Sequence, residues 1–390
     1  MSMSHLSRHR HFTSDGVPSA VEVAAALTRG PRGLRTLLEF AMRSEDAAHP
    51  EDVGPLRSLV FDAAHHRDDS SRAMMITEDG RVVPDLDVPD PGMDEVAGAL
   101  DSVPLLAPSE DLLRRCLSDA VTAARYWQAP AGEEVVALTP PVQASLGRVA
   151  EHLADAPLVL SWWTDADVDD QVRVLWIDPE DPESFVDPAP RPSLEALRAE
   201  ASSRGCISNW QSSPDSFRAI TAGRFPDGTP MPLWLVEDEQ GWTEAYADVV
   251  GSAAGRDVLE IRSDQDWIRL CRAHPRDVTR ARRQEWGEAT GREGSWVQPN
   301  WSSISEEHEA IHLSLGAYLD LAGRAIDVGD GSATMIAGWH PDATYWFCDP
   351  PAPTGDAEAW RFVDRDTGTG PDDLAWLRVE RAEGLRTAGT

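Results

Sequence analysis

The chain has 390 residues, room for two domains of the common ~100–200-residue size. Its 41% hydrophobic and 26% charged residues are enough apolar content to build a core, which excludes a wholly disordered chain. Acidic residues number 67 against 35 basic ones, a formal charge of −32; such a field repels phosphate backbones and anionic lipids and argues against generic nucleic-acid or membrane binding.

All the basic residues are arginine, so Schiff-base and lysine general-base chemistry are excluded. No stretch reaches the ~18–20 apolar residues of a membrane span, and residues 1–12 carry no apolar signal core. The expected compartment is the cytoplasm.

In chain order, residues 19–29, 34–43 and 55–64 repeat apolar side chains at i, i+3, i+4 spacing and are expected helices. His65 and His66, beside Asp68 and Asp69, point to different sides of any element and are expected as a surface pair. Residues 82–92 form a Pro/Asp/Gly-rich connector. All fifteen tryptophans and all four tyrosines lie at or after position 126, which sets a boundary near residue 105. The expected organisation is an N-terminal helical domain with its connector (1–105), a Trp-rich domain (106–355) and a charged C-terminal tail (356–390).

Within the second unit, Ser109 caps a helix running to about Trp127, and Pro140-Pro141 opens another ending near Ala156. Short β-like runs follow at 158–163, 172–177, 206–211, 232–236, 258–261, 311–315 and 334–337, with Tyr345-Trp346-Phe347 after a turn. Helices are expected at 193–203 and at 264–273, the latter opened by Ser263-x-x-Asp266. Strands with few intervening helices define an α+β protein with a mixed or antiparallel sheet. Cys116, Cys206, Cys271 and Cys348 are scattered without a CxxC pair and are expected as thiols.

One motif carries explicit chemistry. His308-Glu309-Ala310-Ile311-His312 fits HExxH, in which two histidines on one helix face hold zinc and the glutamate activates a metal-bound water. The alternation after Ile311 points instead to a strand, which separates the histidines, and a third ligand is not evident. A zinc hydrolase using His308, Glu309 and His312 is therefore an alternative reading.

From Arg204 onward ordered landmarks accumulate: Trp210 with Ser213-Pro214, Leu233 to Asp238 with Gly241-Trp242, and Val258-Leu259-Glu260-Ile261 with Asp266-Trp267. They continue through Trp301-x-x-Ile304, Glu309 to Ser314, and Ala337-Gly338-Trp339-x-Pro341 to Trp346. This order resembles an uncharacterised protein family of GC-rich bacteria over residues 204–347, and is similar to ADP-ribosyltransferase-like folds.

The resemblance implies an NAD-using transferase or glycohydrolase with the role of a toxin or defence effector. It implies Arg173 as the basic residue of a first strand (172–176), and a helix at 193–203. Trp210 and Ser212 on a second strand (207–213) would line the cofactor pocket. Ile311–Leu315 would be the strand that brings a carboxylate to the nicotinamide ribose. Breaking that bond needs such a carboxylate to stabilise an oxocarbenium-like state and aromatic side chains to hold the ring. His312 occupies the glutamate position, with Glu307 or Glu309 able to supply the acid. The partner is then a nucleotide small molecule, or, in a non-catalytic acidic interaction protein, another protein. The tryptophans line a ligand cleft or fill a core.

Overall fold

The computed structural model describes residues 18–67, 75–76, 82–83, 88–178, 185–186, 210–238, 241–364 and 374–380. The helix expected at 193–203, most of the run at 206–211, Asp68, Asp69 and most of the connector lie outside these residues.

The first helices form where capping and periodicity direct them. α1 (Ala20–Leu27) starts at a capping box in which Ser19 and Glu22 satisfy each other's backbone N–H groups. α2 (Pro31–Ala48) follows with proline in its first turn. α3 (Pro55–Arg67), α4 (Met93–Ser102), α5 (Glu110–Thr122, capped by Ser109), α6 (Gly132–Leu138) and α7 (Pro140–Ala154) complete a layer around α2. Because α2 is surrounded, its polar residues are buried too, and Arg35 pairs with Glu39 one turn on at 2.6 Å.

The run at 158–163 is helical rather than extended. Pro157 opens α8 (Pro157–Leu160), and a 3-10 turn (Ser161–Trp163) buries both indoles. Proline at a first helical position outweighs the apolar run.

Two sheets follow, with β1 (Met75–Ile76) and β2 (Val82–Val83) pairing separately. The large sheet uses β3 (Val172–Ile177), β4 (Phe185–Val186), β5 (Ala219–Ala222), β6 (Glu244–Val249) and β7 (Val258–Ile261). After β7 comes α9 (Asp264–Ala273), capped by Ser263 as the sequence indicates. β8 (Pro275–Asp277), α10 (Thr279–Arg282), α11 (Glu285–Thr290), β9 (Ser295–Pro299) and α12 (Trp301–Ile304) lead to β10 (Ala310–Leu313) and α13 (Leu315–Leu321). β11 (Ile326–Gly329), β12 (Ser332–Thr334), β13 (Ala343–Trp346), β14 (Glu358–Asp364) and β15 (Leu374–Val379) end the chain's described elements.

The large sheet runs β15-β14-β6-β3-β5-β13-β10-β7, antiparallel except for the β10–β7 pair, with β4 beside β3. The small sheet runs β11-β12-β9-β8. The α+β class is thus the fold of the protein. Among the described residues no helix is long and apolar enough to cross a membrane.

Three expectations change. The run at 232–236 is no strand: Pro232 and Leu233 lie in a 3-10 turn (Met231–Leu233), since Pro230 and Pro232 remove ladder donors. Of 334–337 only Thr334 is in a strand. Residues 358–364 and 374–379, expected in a charged tail, form β14 and β15, whose Trp360 and Trp376 are buried.

One contiguous core runs from Val23 on α1 through Ile311 and Tyr345 to Trp376, so it crosses position 105 without interruption. It covers the helix side of the large sheet. On the other side two small clusters stand apart, Ile177 with Tyr246 and Ala359, and Ala310 with Trp346 and Ala253. That far side carries a line of polar residues.

Candidate functional site

Strand pairing aligns the polar line. Glu260 on β7 lies opposite His312 on β10, His312 opposite Thr344 on β13, and Thr344 opposite Thr221 on β5. His312 and Thr344 are fully buried. Gln171, just before β3, ties the line together: its amide nitrogen donates to Thr344 Oγ1 at 3.4 Å, and its oxygen accepts from the Thr221 hydroxyl. Trp346 Nε1 donates to Thr221 Oγ1 at 2.8 Å.

At the end of this line His312 sits between two carboxylates. Its Nδ1 donates to Glu260 Oε2 at 2.6 Å, and its Nε2 is 3.5 Å from Asp342 Oδ1. Asp342 reaches in from a left-handed turn (φ 57°) and passes Gly223, where a Cβ would stand 2.9 Å from its carboxylate oxygen. Burial by itself lowers the imidazole pKa; the attraction of Glu260, then Asp342, outweighs it and pushes the value up to about 10. His312 is an imidazolium at neutral pH. It is therefore no general base, and its effect is to hold Glu260 in place. The other Glu260 oxygen accepts from the Ala166 N–H at 3.2 Å.

A cavity of about 220 Å³ opens above Glu260, bounded by Asp165, Gln171, Arg256, Thr344 and Trp346. The Arg256 guanidinium lies 5.1 Å over the Trp346 ring and donates to Glu309 Oε2 at 3.0 Å. The Asp257 N–H donates to the same oxygen at 2.9 Å. These two contacts, the backbone one first, hold the Glu309 carboxyl below its ordinary range.

The predicted site residues divide between the two sides of the sheet. Val172 pairs with Ala222, which pairs with Ala343, all on the helix side, so Arg173 shares the His312 side. It is three strands from His312, roughly 14 Å at ~4.8 Å per strand. Its cross-strand neighbour is Asp248.

Tyr345 alternates with Thr344 and so lies on the helix side; its ring is 4.9 Å from Trp339, whose Nε1 donates to Ser212 Oγ at 3.2 Å. Ser212, buried, also bonds the Ala337 backbone through its N–H (2.8 Å) and through Oγ, which accepts the Ala337 N–H (3.0 Å). Trp210 accepts from Trp286 Nε1 at 2.7 Å through its carbonyl and lies 6.3 Å from the Tyr126 ring. Trp210 and Ser212 are therefore on the side opposite His312. No single cleft joins these four residues.

The chain is a strand over Ala310–Leu313 and not the expected 311–315, because Ser314 caps a helix that opens at Leu315, and the two histidines of the HExxH motif do not converge. His308 Nδ1 lies 3.1 Å from Asp257 Oδ2 while His312 faces Glu260. The helical arrangement that the zinc reading requires is not formed, and among the described residues no group of three or more His, Cys, Asp or Glu is placed to hold a metal ion.

Beside Ser212 is a second unusual carboxyl. Glu237 accepts from the Tyr318 hydroxyl at 2.7 Å and from the Gly338 N–H at 2.9 Å. Gly338 has φ 71°, and a Cβ there would stand 2.5 Å from the Gln211 side chain, so the position is closed to other residues. Burial pushes the Glu237 pKa from 4.5 up to about 8. A raised native pKa gives stability that is complete below pH ~4.5 and lost as pH rises through ~8. Glu237→Gln should remove that loss, and at pH 9 exceed the parent in stability by about 1–3 kcal/mol in urea unfolding. An unchanged pH profile would count against a protonated Glu237.

Glu260, Asp342 and Gln171 were not singled out as site residues from the sequence. A signal existed: Val258–Ile261 and Ala310–Leu313 each place one ionisable residue third in an apolar tetrapeptide. Comparison of the chain with family models, with curated proteins and with solved structures returns no match. The fold and site define an α+β protein with a carboxylate fixed by a buried imidazolium at the floor of a cavity.

Proposed function

We propose that the chain acts on the N-glycosidic bond of NAD, as an ADP-ribosyltransferase-like enzyme or NAD glycohydrolase, with Glu260 as the carboxylate that meets the ribose. The observation that supports this reading most is the Glu260–His312 pair at the cavity floor. The acid expected at position 312 is supplied from the neighbouring strand.

In the reaction the bond between ribose C1′ and the nicotinamide nitrogen breaks, and its electron pair neutralises the pyridinium. Water or an acceptor hydroxyl adds at C1′ and releases a proton. The Glu260 carboxylate stabilises the positive charge that develops on the ribose. Trp346 supplies an aromatic wall, and Arg256 is the cavity's cation for a phosphate group.

Nicotinamide release from NAD, followed by chromatography, tests the proposal. Glu260→Gln should reduce the rate about 10²–10³-fold, and Glu260→Asp, which keeps the charge but withdraws it, should also be slow. Circular dichroism checks that both variants are folded. No release above buffer by the parent chain, or full activity in folded Glu260→Gln, overturns it.

One observation favours a second reading, a non-catalytic acidic interaction protein. Asp165, Asp167, Asp169 and Asp170 are all exposed on one loop beside the same cavity, a surface suited to a basic protein partner. That reading expects no NAD turnover and salt-sensitive binding.

A further inference from the structure

A second cavity, of about 360 Å³, lies on the helix side of the sheet, away from Glu260. One wall is aromatic: Trp176 from β3, Phe362 from β14 and Trp376 from β15, joined by Trp234 and Trp242. These rings brace one another. Trp176 and Trp242 stack at 5.1 Å, Trp376 lies 5.5 Å from Trp176 and 5.4 Å from Phe362, and Trp234 meets Phe362 edge to face at 6.0 Å. Behind Trp234 the Arg114 guanidinium lies 5.2 Å from its ring. Trp242 and Phe362 are only half-buried, so part of the wall is open to an occupant.

The facing wall is polar. Arg43 of α2 pairs with Asp119 of α5 at 2.6 Å, and Ser118 and Thr122 stand beside them. Arg115 completes this wall and is held by Asp111 at 2.9 Å.

The two walls select a class of ligand. A purely apolar occupant would strip water from the Arg43–Asp119 pair without replacing its hydrogen bonds. For an anion the guanidiniums are already engaged, Arg43 by Asp119 and Arg115 by Asp111, and a cation meets the same two guanidiniums at the polar wall. A neutral ring with a C–H face and several hydroxyls satisfies both walls: the C–H face lies on indole, and the hydroxyls bond to Arg43, Asp119, Ser118 and Thr122. We infer that this cavity is a binding site for a neutral saccharide of one or two rings. Its volume is near the lower end of the ~300–1,000 Å³ of small-molecule sites.

The test is calorimetric titration of the full chain with neutral mono- and disaccharides (glucose, N-acetylglucosamine, maltose, cellobiose, trehalose), read in parallel by tryptophan fluorescence. At least one sugar should bind saturably. Trp242→Ala and Asp119→Asn should each weaken it about tenfold or more, and neither should alter nicotinamide release. Trp242 is only half-buried, so its variant keeps the test valid should Asp119→Asn fail to fold. No binding by any of these sugars, or binding unchanged in folded Trp242→Ala, overturns the inference. Saturable binding of choline or of inorganic phosphate in place of the sugars overturns it as well.

Discussion

Replacing His312 by glutamine should cost the fold about 3–5 kcal/mol at pH 7 in urea unfolding, the range for removing one partner from a buried ion pair. His312 has no exposed surface, and its charge is shared between Glu260 at 2.6 Å and Asp342 at 3.5 Å. Without it, two carboxylates face each other beneath the loop that carries Ala166. The pH dependence follows from the direction of the shift. An imidazole whose pKa rises from 6.5 to about 10 on folding contributes stability that is complete below pH ~6.5 and lost as pH rises through ~10. The parent should therefore weaken across that window, and His312→Gln should keep only the part of that loss, below pH ~8, that Glu237 causes. Glu237 weakens the protein over the lower window, pH ~4.5 to ~8, so the double variant His312→Gln, Glu237→Gln should be the least sensitive to alkaline pH. A parent whose stability is flat from pH 6.5 to 10 would contradict the imidazolium.

The second large effect belongs to Trp339. Its ring is 1% exposed and lies 5.8 Å from both Trp267 and Trp301 and 4.9 Å from Tyr345. Trp339→Ala should cost about 3–5 kcal/mol by transfer and cavity terms together. Trp339→Phe keeps part of the packing but leaves Ser212 Oγ without its indole donor, and should cost about 1–2 kcal/mol. Ser212→Ala should lose a similar amount while leaving nicotinamide release intact, because Ser212 latches 210–213 to 337–339 on the side of the sheet away from Glu260. Denaturant midpoints measure all three. A Trp339→Ala loss below 1 kcal/mol would remove this cluster from the centre of the core.

Local signals were legible where one segment carried its own instructions. β3, β7 and α9 fall at 172–177, 258–261 and 264–273 as their patterns indicate, since alternation or a Ser cap leaves little choice. The run at 158–163 misled because an apolar stretch that short has no period, and Pro157 was the better guide. β14 and β15 were hidden by charge. Yet Trp360 and Phe362 flank the exposed Arg361, a short alternation that the acidic surroundings obscured.

The site was legible only in part. A lone histidine in an apolar strand marked position 312 as unusual. Its partner depended on β10 lying parallel to β7 in one register, which no local pattern encodes. The division of Arg173 and His312 from Trp210 and Ser212 likewise depends on how the 337–339 segment packs, a tertiary fact.

The central claim is that a buried imidazolium fixes Glu260 at the floor of its cavity, and a nitrogen-detected NMR titration of the His312 ring tests it most directly. The account predicts that both ring nitrogens stay protonated from pH 6 to beyond 9, with titration near 10. Loss of a proton near pH 6.5, as for an ordinary histidine, would contradict it.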